Sequence, residues 1–262
     1  MTLDGRVALV TGGSRGIGRA IALGLAADGA KVAVNYRRDA EAAAATVADI
    51  EALGGKARAY AADVGSLEEG RSMVAAAVAD FGFIDILVNN AGIASRGRSV
   101  LDTEPDELER VLRTHALGAH HLCRAVLPSM RTRPRGDIVM VSSAITRDHP
   151  PNGAPYAMGK AALEALAFTL AREELRHGIH VNVVAPGLVD TDMGKRLAKA
   201  TLGADDIRDL DSRFPFGRVC TPDDVAGVVR FLVSEAAGYA TGQRIYLDGG
   251  GGQALMEGIG SQ

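Results

Sequence analysis

Short runs of β-branched and other apolar residues alternate with longer segments rich in Ala and Leu along this chain. The runs lie at Arg6–Val10, Lys31–Tyr36, Lys56–Ala61, Ile84–Val88, Asp137–Val141, Ile179–Val184 and Gln243–Leu247. The first, fourth, fifth and sixth runs are nearly continuous apolar stretches, which are typical of strands buried on both faces of a parallel sheet. The pattern therefore predicts a strand at each of these runs.

The segments between the runs have helical character. They lie at Gly18–Asp28, Ala40–Leu53, Leu67–Asp80, Pro105–Met130, Pro155–His177 and Pro222–Ser234. Glycine after Asp28 and after Leu53 marks helix ends, and Thr221 before proline and two acidic residues marks a helix start. The alternation predicts an α/β fold in which residues 1–262 form a single-domain, Rossmann-type, doubly wound parallel sheet of about seven strands with helices on both faces.

A long polar stretch interrupts this rhythm between the sixth predicted strand and the helix that begins at Pro222. Loops of this length in compact domains usually carry function or contain small helices of their own. We predict that residues 188–221 are an insertion within the domain that covers the substrate.

The composition excludes several classes of protein. The 262 residues include 29 Lys and Arg against 32 Asp and Glu, and the net charge of −3 argues against a nucleic-acid partner. We see no long apolar run and no secretion signal, so we expect no membrane partner and a cytoplasmic location. The two cysteines, Cys123 and Cys220, rule out a disulfide framework. No spacing of His, Cys and Asp indicates a metal site.

Unusual residues follow the predicted strands at the point where each strand ends. They are Thr11–Gly13, Asp63–Val64, Asn89–Gly92, Ser142–Ser143 and Pro186–Gly187. The carboxyl ends of the strands are the edge at which open α/β sheets bind ligands. The sequence therefore predicts one site along that edge.

The segment TGGSRGIG at Thr11–Gly18 lies between a predicted strand and a predicted helix. Glycines there allow the backbone to approach a pyrophosphate, which the free N–H groups of the helix N-terminus can bind. The alternative is a nucleophile elbow of an α/β-hydrolase with Ser14 as the nucleophile. No earlier strand is available to supply the usual oxyanion-hole loop, which disfavours that alternative.

Tyr156 and Lys160 share one face of a predicted helix because they are four residues apart. An ammonium beside a phenol favours the phenolate and lowers the pKa of the phenol, so the pair suits general acid–base catalysis near neutral pH. Ser143 lies on the strand-end loop just upstream, where its hydroxyl can bind a substrate carbonyl. A surface Tyr–Lys contact is the alternative.

These motifs together resemble the classical short-chain dehydrogenase/reductase family over essentially the whole chain, in its 3-oxoacyl-[acyl-carrier-protein] reductase type. The matching segments are TGGSRGIG, Asp63–Val64, NNAG at Asn89–Gly92, Ser143, Tyr156 with Lys160, Pro186–Gly187 and ATGQRIYLDGG at Ala240–Gly250.

The resemblance implies that Tyr156 transfers the proton at the carbonyl or alcohol oxygen, that Lys160 lowers the pKa of Tyr156, and that Ser143 orients the carbonyl. It also implies that Lys160 holds the nicotinamide ribose of a bound cofactor. The cofactor-binding residues that it implies are Gly12, Ser14, Gly16, Ile17, Gly18, Asp63, Val64, Asn90, Ala91, Gly92, Tyr156, Lys160, Pro186, Gly187, Val189 and Thr191.

His115 departs from the family pattern, which has a catalytic asparagine at this position. Histidine can pass a proton through water, so His115 is predicted to act in the proton relay. The alternative is a broken relay, in a protein that binds NADP(H) and turns over poorly or not at all.

The residues at the end of the second predicted strand favour NADP(H) over NAD(H). That strand ends in Tyr36 and Arg37 rather than the acidic residue that holds the ribose 2′-hydroxyl of NAD. Arg15 lies in the glycine loop, and two guanidinium groups suit a 2′-phosphate.

The predicted function is therefore an NADP(H)-dependent oxidoreductase that interconverts a carbonyl and a secondary alcohol, most simply in a 3-oxoacyl thioester. Another ketone, a sugar or a steroid-like alcohol remains an alternative substrate. A carrier protein or coenzyme A is a possible substrate carrier, for which the sequence offers Arg131, Arg133, Arg135, Arg172 and Arg176. The resemblance also predicts a homotetramer.

Overall fold

The computed structural model describes residues 2–250, leaving aside the side chain of Pro215. Its strands form one parallel sheet in the order β3-β2-β1-β4-β5-β6-β7. The strands are β1 (Val7–Val10), β2 (Lys31–Tyr36), β3 (Lys56–Ala61), β4 (Ile86–Asn89), β5 (Gly136–Val141), β6 (Ile179–Pro186) and β7 (Arg244–Leu247). The predicted doubly wound parallel sheet is confirmed.

Helices connect the strands and cover both faces of the sheet. They are α1 (Gly16–Ala27), α2 (Ala40–Ala52), α3 (Leu67–Phe81), α4 (Pro105–Leu112), α5 (Gly118–Met130), α6 (Ile145–Asp148), α7 (Ala154–Glu173), α8 (Asp192–Leu202) and α9 (Pro222–Leu232). Short 3₁₀ turns occur at Leu175–His177, Ile207–Arg213, Pro215–Gly217 and Glu235–Ala237. Among residues 2–250, we find no helix with both the length and the apolar character needed to cross a membrane.

The two faces of the sheet have separate apolar cores. On one face, side chains such as Leu87 and Ile138 pack against Met73 of α3, Leu122 of α5 and Leu163 of α7. On the other face, Val10, Val34 and Val88 pack against residues of α1, α2 and α9, which include Ile21, Ile50 and Val225. Burial on both faces explains why the central strands read as continuous apolar runs.

The predicted single helix over Pro105–Met130 is wrong in one respect. A π-helical turn at Arg113–Leu117 separates α4 from α5 and contains the buried His115. Hydrophobic periodicity does not distinguish a π turn from the α-helix around it, and such turns are frequent at functional sites.

Residues 188–221 form a small unit with an apolar cluster of its own. Ala198 of α8 packs with Ile207, Leu210 and Val219. A bridge pairs Val189 with Cys220 at the two ends of the segment, and the backbone N–H of Asp190 donates to the carbonyl oxygen of Cys220 at 2.8 Å. The segment thus leaves and rejoins the domain at nearly one point. Its role as a substrate cover stays a prediction.

Candidate active site

The site lies at the point in the sheet where the order of the strands reverses. From β1 the chain proceeds through β2 and β3 to one side, and then β4 to β7 extend on the other side. The crevice at the carboxyl ends of β1 and β4 is where sheets of this kind bind ligands. The structure brings the predicted glycine loop after β1 and the segment Asn89–Gly92 after β4 together at this crevice.

The glycine loop runs closely against the first turn of α1. A Cβ atom added to Gly18 would lie 2.2 Å from the carbonyl oxygen of Gly12, so no larger residue fits at Gly18. The first turn of α1 contains no acidic residue, and its N-cap residue Arg15 makes no capping hydrogen bond with its side chain. The N–H groups of this helix end are therefore suited to an anion such as a pyrophosphate.

Thr11 joins the glycine loop to the end of β4. Its hydroxyl accepts hydrogen bonds from the backbone N–H groups of Asn90 and Ala91, each at 2.9 Å. The side-chain amide nitrogen of Asn90 donates a hydrogen bond to the carbonyl oxygen of Thr11 at 2.8 Å. The side chain of Asn90 thus holds the glycine loop, and the partly exposed backbone of Ala91 and Gly92 is left to border a ligand.

Asn35 supports the same loop from β2, and the sequence analysis missed it. Its side-chain oxygen accepts a hydrogen bond from the Gly12 N–H at 3.2 Å. Its amide nitrogen lies 3.3 Å from the carbonyl oxygen of Tyr60 and 3.1 Å from that of Ala62. A polar residue inside the otherwise apolar VAVNY strand was the available signal, because a buried amide needs hydrogen-bond partners.

Arg37 and Asp63 meet where the adenosine end of a dinucleotide is expected. The guanidinium and the carboxylate are 3.5 Å apart, and both side chains are partly exposed. The other oxygen of Asp63 accepts a hydrogen bond from the Gly65 N–H at 2.9 Å, which fixes the turn after β3. Arg15 is exposed at the start of α1, so two guanidinium groups are available on the side of the crevice formed by β1 and β2.

Lys160 is buried beneath the loop that follows β5. Its side chain is on the second turn of α7, is 3% exposed, and donates a hydrogen bond from Nζ to the carbonyl oxygen of Val141 at 2.7 Å. Burial lowers the pKa of Lys160 to about 7, although the nearby Glu164 carboxylate favours the charged form. Near neutral pH the ammonium can therefore lose a proton, and the neutral amine can regain it.

Tyr156 lies one turn earlier on α7, with Lys160 Nζ 5.6 Å from the centroid of its ring. Burial raises the pKa of Tyr156 to about 12. In this conformation the Lys160 ammonium is bonded to the carbonyl oxygen of Val141, and the expectation that it lowers the pKa of Tyr156 stays a prediction. Ser143, the third predicted catalytic residue, is partly exposed on the loop after β5.

His115 occupies the π turn and lies against Tyr156. Its Nε2 atom is 2.8 Å from the carbonyl oxygen of Ile93 and 3.2 Å from the Ile93 N–H nitrogen. Burial, with a smaller effect of the Lys160 charge, lowers the pKa of His115 to about 3, so the ring is neutral at physiological pH. A Cβ atom on Gly92 would lie 2.5 Å from the ring, which makes Gly92 necessary beside this histidine.

The loop after β6 approaches the glycine loop from the other side of the crevice. A Cβ atom added to Gly16 would lie 3.3 Å from Cγ2 of Thr191. The Thr191 hydroxyl accepts a hydrogen bond from the Gly194 N–H at 3.0 Å and so caps α8. Pro186 is the last residue of β6, and Gly187 and Val189 lie on the loop between it and Thr191. Their place beside a nicotinamide stays a prediction.

Three arginines predicted to receive a carrier protein are instead paired at other places in the fold. Arg133 bonds to the buried Asp85 at 2.8 Å, and Arg135 bonds to the buried Asp137 at 2.9 Å. These acids lie at the amino ends of β4 and β5, opposite the candidate site. Arg131 pairs with Glu174, just beyond the end of α7. Because these guanidinium groups already have carboxylate partners, the role of the arginines toward a carrier protein stays a prediction.

The hydrolase alternative finds no support in the residues that the structure describes. Ser14 is buried, and no histidine between residues 2 and 250 forms a hydrogen bond with its side chain. The same residues contain no group of three or more His, Cys, Asp or Glu side chains that could hold a metal ion.

The chain matches known proteins over nearly its full length. The family model described as enoyl-(acyl carrier protein) reductase matches residues 12–251. A 3-oxoacyl-[acyl-carrier-protein] reductase of Staphylococcus epidermidis is 38% identical over 244 residues, which are 93% of this chain and 97% of that relative.

Solved structures of similar fold have different cofactors bound. A short-chain dehydrogenase from Burkholderia cenocepacia in complex with NADP is 40% identical, with a TM-score of 0.86, and the match covers 95% of this chain and 99% of that one. An NAD⁺-bound xylitol dehydrogenase is 33% identical, with a TM-score of 0.88, and the match covers 95% and 100% of the two chains.

Proposed function

Because the chain belongs to the classical short-chain dehydrogenase/reductase family, we propose that it is an NADP(H)-dependent reductase of 3-oxoacyl thioesters. Membership makes it an oxidoreductase that uses a nicotinamide cofactor on a carbonyl and alcohol pair. The observation that carries the proposal is the arrangement of Tyr156 over the buried Lys160, beneath the loop that bears Ser143.

The residues of the crevice fit a nicotinamide dinucleotide. The open N-terminus of α1 and the close approach at Gly18 suit its pyrophosphate, and the glycine loop is held in place by Thr11, Asn35 and Asn90. When bound, the cofactor supplies or accepts the hydride, and the protein supplies position and electrostatics.

Each catalytic side chain has a separate part in carbonyl reduction. The Tyr156 phenol donates its proton to the carbonyl oxygen, and a pKa of about 12 keeps it protonated before reaction. The Ser143 hydroxyl donates a hydrogen bond to the same oxygen. The Lys160 ammonium stabilises the phenolate that Tyr156 leaves behind, because an opposite charge close by favours the ionised form.

His115 serves this site as a neutral ring rather than as a titrating relay. A pKa of about 3 makes the imidazolium form costly near neutral pH. Its contacts with Ile93 hold the chain after β4, and its ring supports Tyr156. The sequence-based hypothesis of proton transfer through His115 therefore gives way to a positioning role.

The preference for NADP(H) rests on charge at the adenosine end. β2 ends at Tyr36 without an acidic residue, and Arg37 and Arg15 supply guanidinium groups that suit a 2′-phosphate. The NADP complex of the Burkholderia relative agrees with this choice, whereas the NAD⁺-bound xylitol dehydrogenase shows that the fold accepts either cofactor.

The acyl thioester is proposed from the 3-oxoacyl-[acyl-carrier-protein] reductase relative, and the insertion 188–221 would cover the acyl chain. We also propose a cytoplasmic homotetramer, assembled through α5, α7 and β7. A surface groove of about 330 Å³ between α5 and α7, lined in part by Leu127, Leu166 and Leu170, supports burial of these helices against a second copy. Light scattering would then give about four times the chain mass of 27.2 kDa.

The test is steady-state oxidation of NADPH, with NADH in parallel, by wild type and Tyr156→Phe in the presence of an acetoacetyl thioester. Turnover that favours NADPH and requires Tyr156 is the expected result. Turnover that Tyr156→Phe retains would overturn the assigned chemistry. NADPH binding without turnover of the thioester, or of a panel of ketones and sugars, would instead favour a cofactor-binding protein with little catalytic activity.

A further inference from the structure

The loop that bears Ser143 is held from below by two successive turns of α7. Lys160 donates to the carbonyl oxygen of Val141 at 2.7 Å, just before the loop. One turn later, an oxygen of Glu164 accepts a hydrogen bond from the Ser142 hydroxyl at 2.6 Å. The same oxygen lies 2.8 Å from the Thr146 hydroxyl, which is also 2.9 Å from the carbonyl oxygen of Ser143. These two hydroxyls lie on either side of Ser143 in the sequence. The Glu164 carboxylate therefore holds the chain on both sides of Ser143.

The other oxygen of Glu164 is bound to the last strand. It accepts a hydrogen bond from a guanidinium nitrogen of Arg244 in β7 at 2.6 Å. Glu164 is only 4% exposed, and a buried carboxylate of this kind is stable only when its oxygens have donors. Hydrogen-bond partners from the serine loop and from β7 satisfy it.

A second connection joins the same loop to β7. The Arg244 guanidinium carbon lies 4.7 Å from the ring centroid of Tyr246, and the Arg147 guanidinium carbon lies 4.6 Å from that centroid. Arg147 directly follows Thr146 and also bonds to Asp248. The contacts thus form a closed path from the serine loop through Glu164 and β7 back to the loop.

We propose that Glu164 is a positioning residue for catalysis, which sets the placement of Ser143 through Ser142 and Thr146. This inference rests on the proposed reductase function. It assigns a role to a residue that makes no contact with the reacting atoms and that the sequence motifs do not include.

The charge of Glu164 also affects Lys160, which lies one turn earlier on α7, and the direction of that effect on the Lys160 pKa can be stated. The titratable groups near its ammonium are Glu164 and Tyr156 on α7 and His115 on the π turn, and the guanidinium of Arg244 is bound to Glu164. Tyr156 and His115 are neutral near pH 7. Removal of the Glu164 charge disfavours the ammonium, so the pKa of Lys160 falls below its value of about 7. Loss of activity at alkaline pH should then begin at lower pH.

The kinetic test compares Glu164→Gln, Ser142→Ala and the double variant, with Glu51→Gln on the exposed face of α2 as the matched control. We expect Glu164→Gln to lower kcat at least about five-fold, to change the KM for NADPH less than about two-fold, and to move the alkaline limb of the kcat profile to lower pH. Ser142→Ala should add little to Glu164→Gln, because both act on the same hydrogen bond: glutamine removes the carboxylate charge that strengthens it, and alanine removes its donor. Each of three results would overturn the proposal: a smaller fall in kcat, an alkaline limb that stays at the wild-type pH, or a double variant whose loss of kcat is the product of the two single losses.

Two further measurements keep the test decisive. If Glu164→Gln does not fold, the double variant Ser142→Ala with Thr146→Val removes the same contacts from the loop side, and kcat is expected to fall by the same factor.

If the wild type shows no Tyr156-dependent turnover, the reductase function fails but the inference stays testable. ¹⁵N NMR of the lysine side chains, with Lys160→Met to identify the resonance, needs no substrate. The inference is supported if the pKa of Lys160 is lower in Glu164→Gln than in wild type and is unchanged in Glu51→Gln. An unchanged pKa in Glu164→Gln contradicts the inference.

Discussion

The ring of His115 meets the ring of Tyr156 edge-on, with 5.1 Å between the centroids and 82° between the planes. A histidine at this position therefore supports the Tyr156 phenol by packing. It also binds the backbone of Ile93, although a single nitrogen faces both the donor and the acceptor of that residue. In any one protonation state Nε2 can satisfy only one of the two.

His115→Asn is expected to retain kcat within about three-fold of wild type, whereas His115→Ala lowers kcat about ten-fold or more. An asparagine amide has a separate donor and acceptor and can bind both groups of Ile93, but alanine leaves them unpaired and leaves Tyr156 unsupported. Steady-state kinetics with an acetoacetyl thioester measures both variants. Equal kcat values for His115→Ala and wild type would show that the ring does not position the phenol.

Arg37→Ala is expected to raise the KM for NADPH about ten-fold and to leave the KM for NADH within about two-fold. The reason is the loss of charge-assisted hydrogen bonds to a 2′-phosphate, each of which contributes about 1.5–3 kcal/mol. Arg38→Ala, which removes the neighbouring arginine, is the matched control. A ten-fold effect on NADH as well would mean that Arg37 acts on the fold of the site rather than on the phosphate.

Asn35→Leu is expected to lower the free energy of unfolding by about 2–4 kcal/mol and to weaken NADPH binding. Leucine leaves the Gly12 N–H and the carbonyl oxygens of Tyr60 and Ala62 without their side-chain partner, and unsatisfied buried groups cost about 1–3 kcal/mol each. Urea denaturation and nucleotide fluorescence measure the two effects. Unchanged NADPH affinity in a destabilised variant would separate the stability role from the loop-positioning role.

Lys160 makes the stability of the protein depend on pH. Its pKa is about 7 in the folded chain, below the ordinary value, so the unfolded chain binds more protons between that pH and about 10. The free energy of unfolding of wild type relative to Lys160→Met is therefore expected to rise with pH across this window, by at most about 1.4 kcal/mol per unit. Urea titrations at several pH values measure the difference. A flat difference from pH 7 to 10 would indicate that Lys160 titrates normally.

The sequence predicted the parts of the molecule that local patterns encode. The apolar runs gave the order of strands and helices, and the residues placed after the strands, such as Ser143 and Thr11, meet at one edge because parallel strands share a direction. Distant partners were not predictable in this way. The acids that hold Arg133 and Arg135, the hydroxyls that meet Glu164 and the π turn at His115 all depend on tertiary packing, which hydrophobic periodicity does not report.

The pairing of Val189 with Cys220 has a consequence for the evolution of this protein. A segment with its own apolar cluster, joined to the domain at nearly one point, can be exchanged or remodelled while the sheet and the catalytic side chains stay in place. With residues 188–221 as the proposed substrate cover, selection can act on this segment to alter the accepted molecule. A chimaera that carries this segment from a relative should keep the fold and acquire the donor's range of substrates.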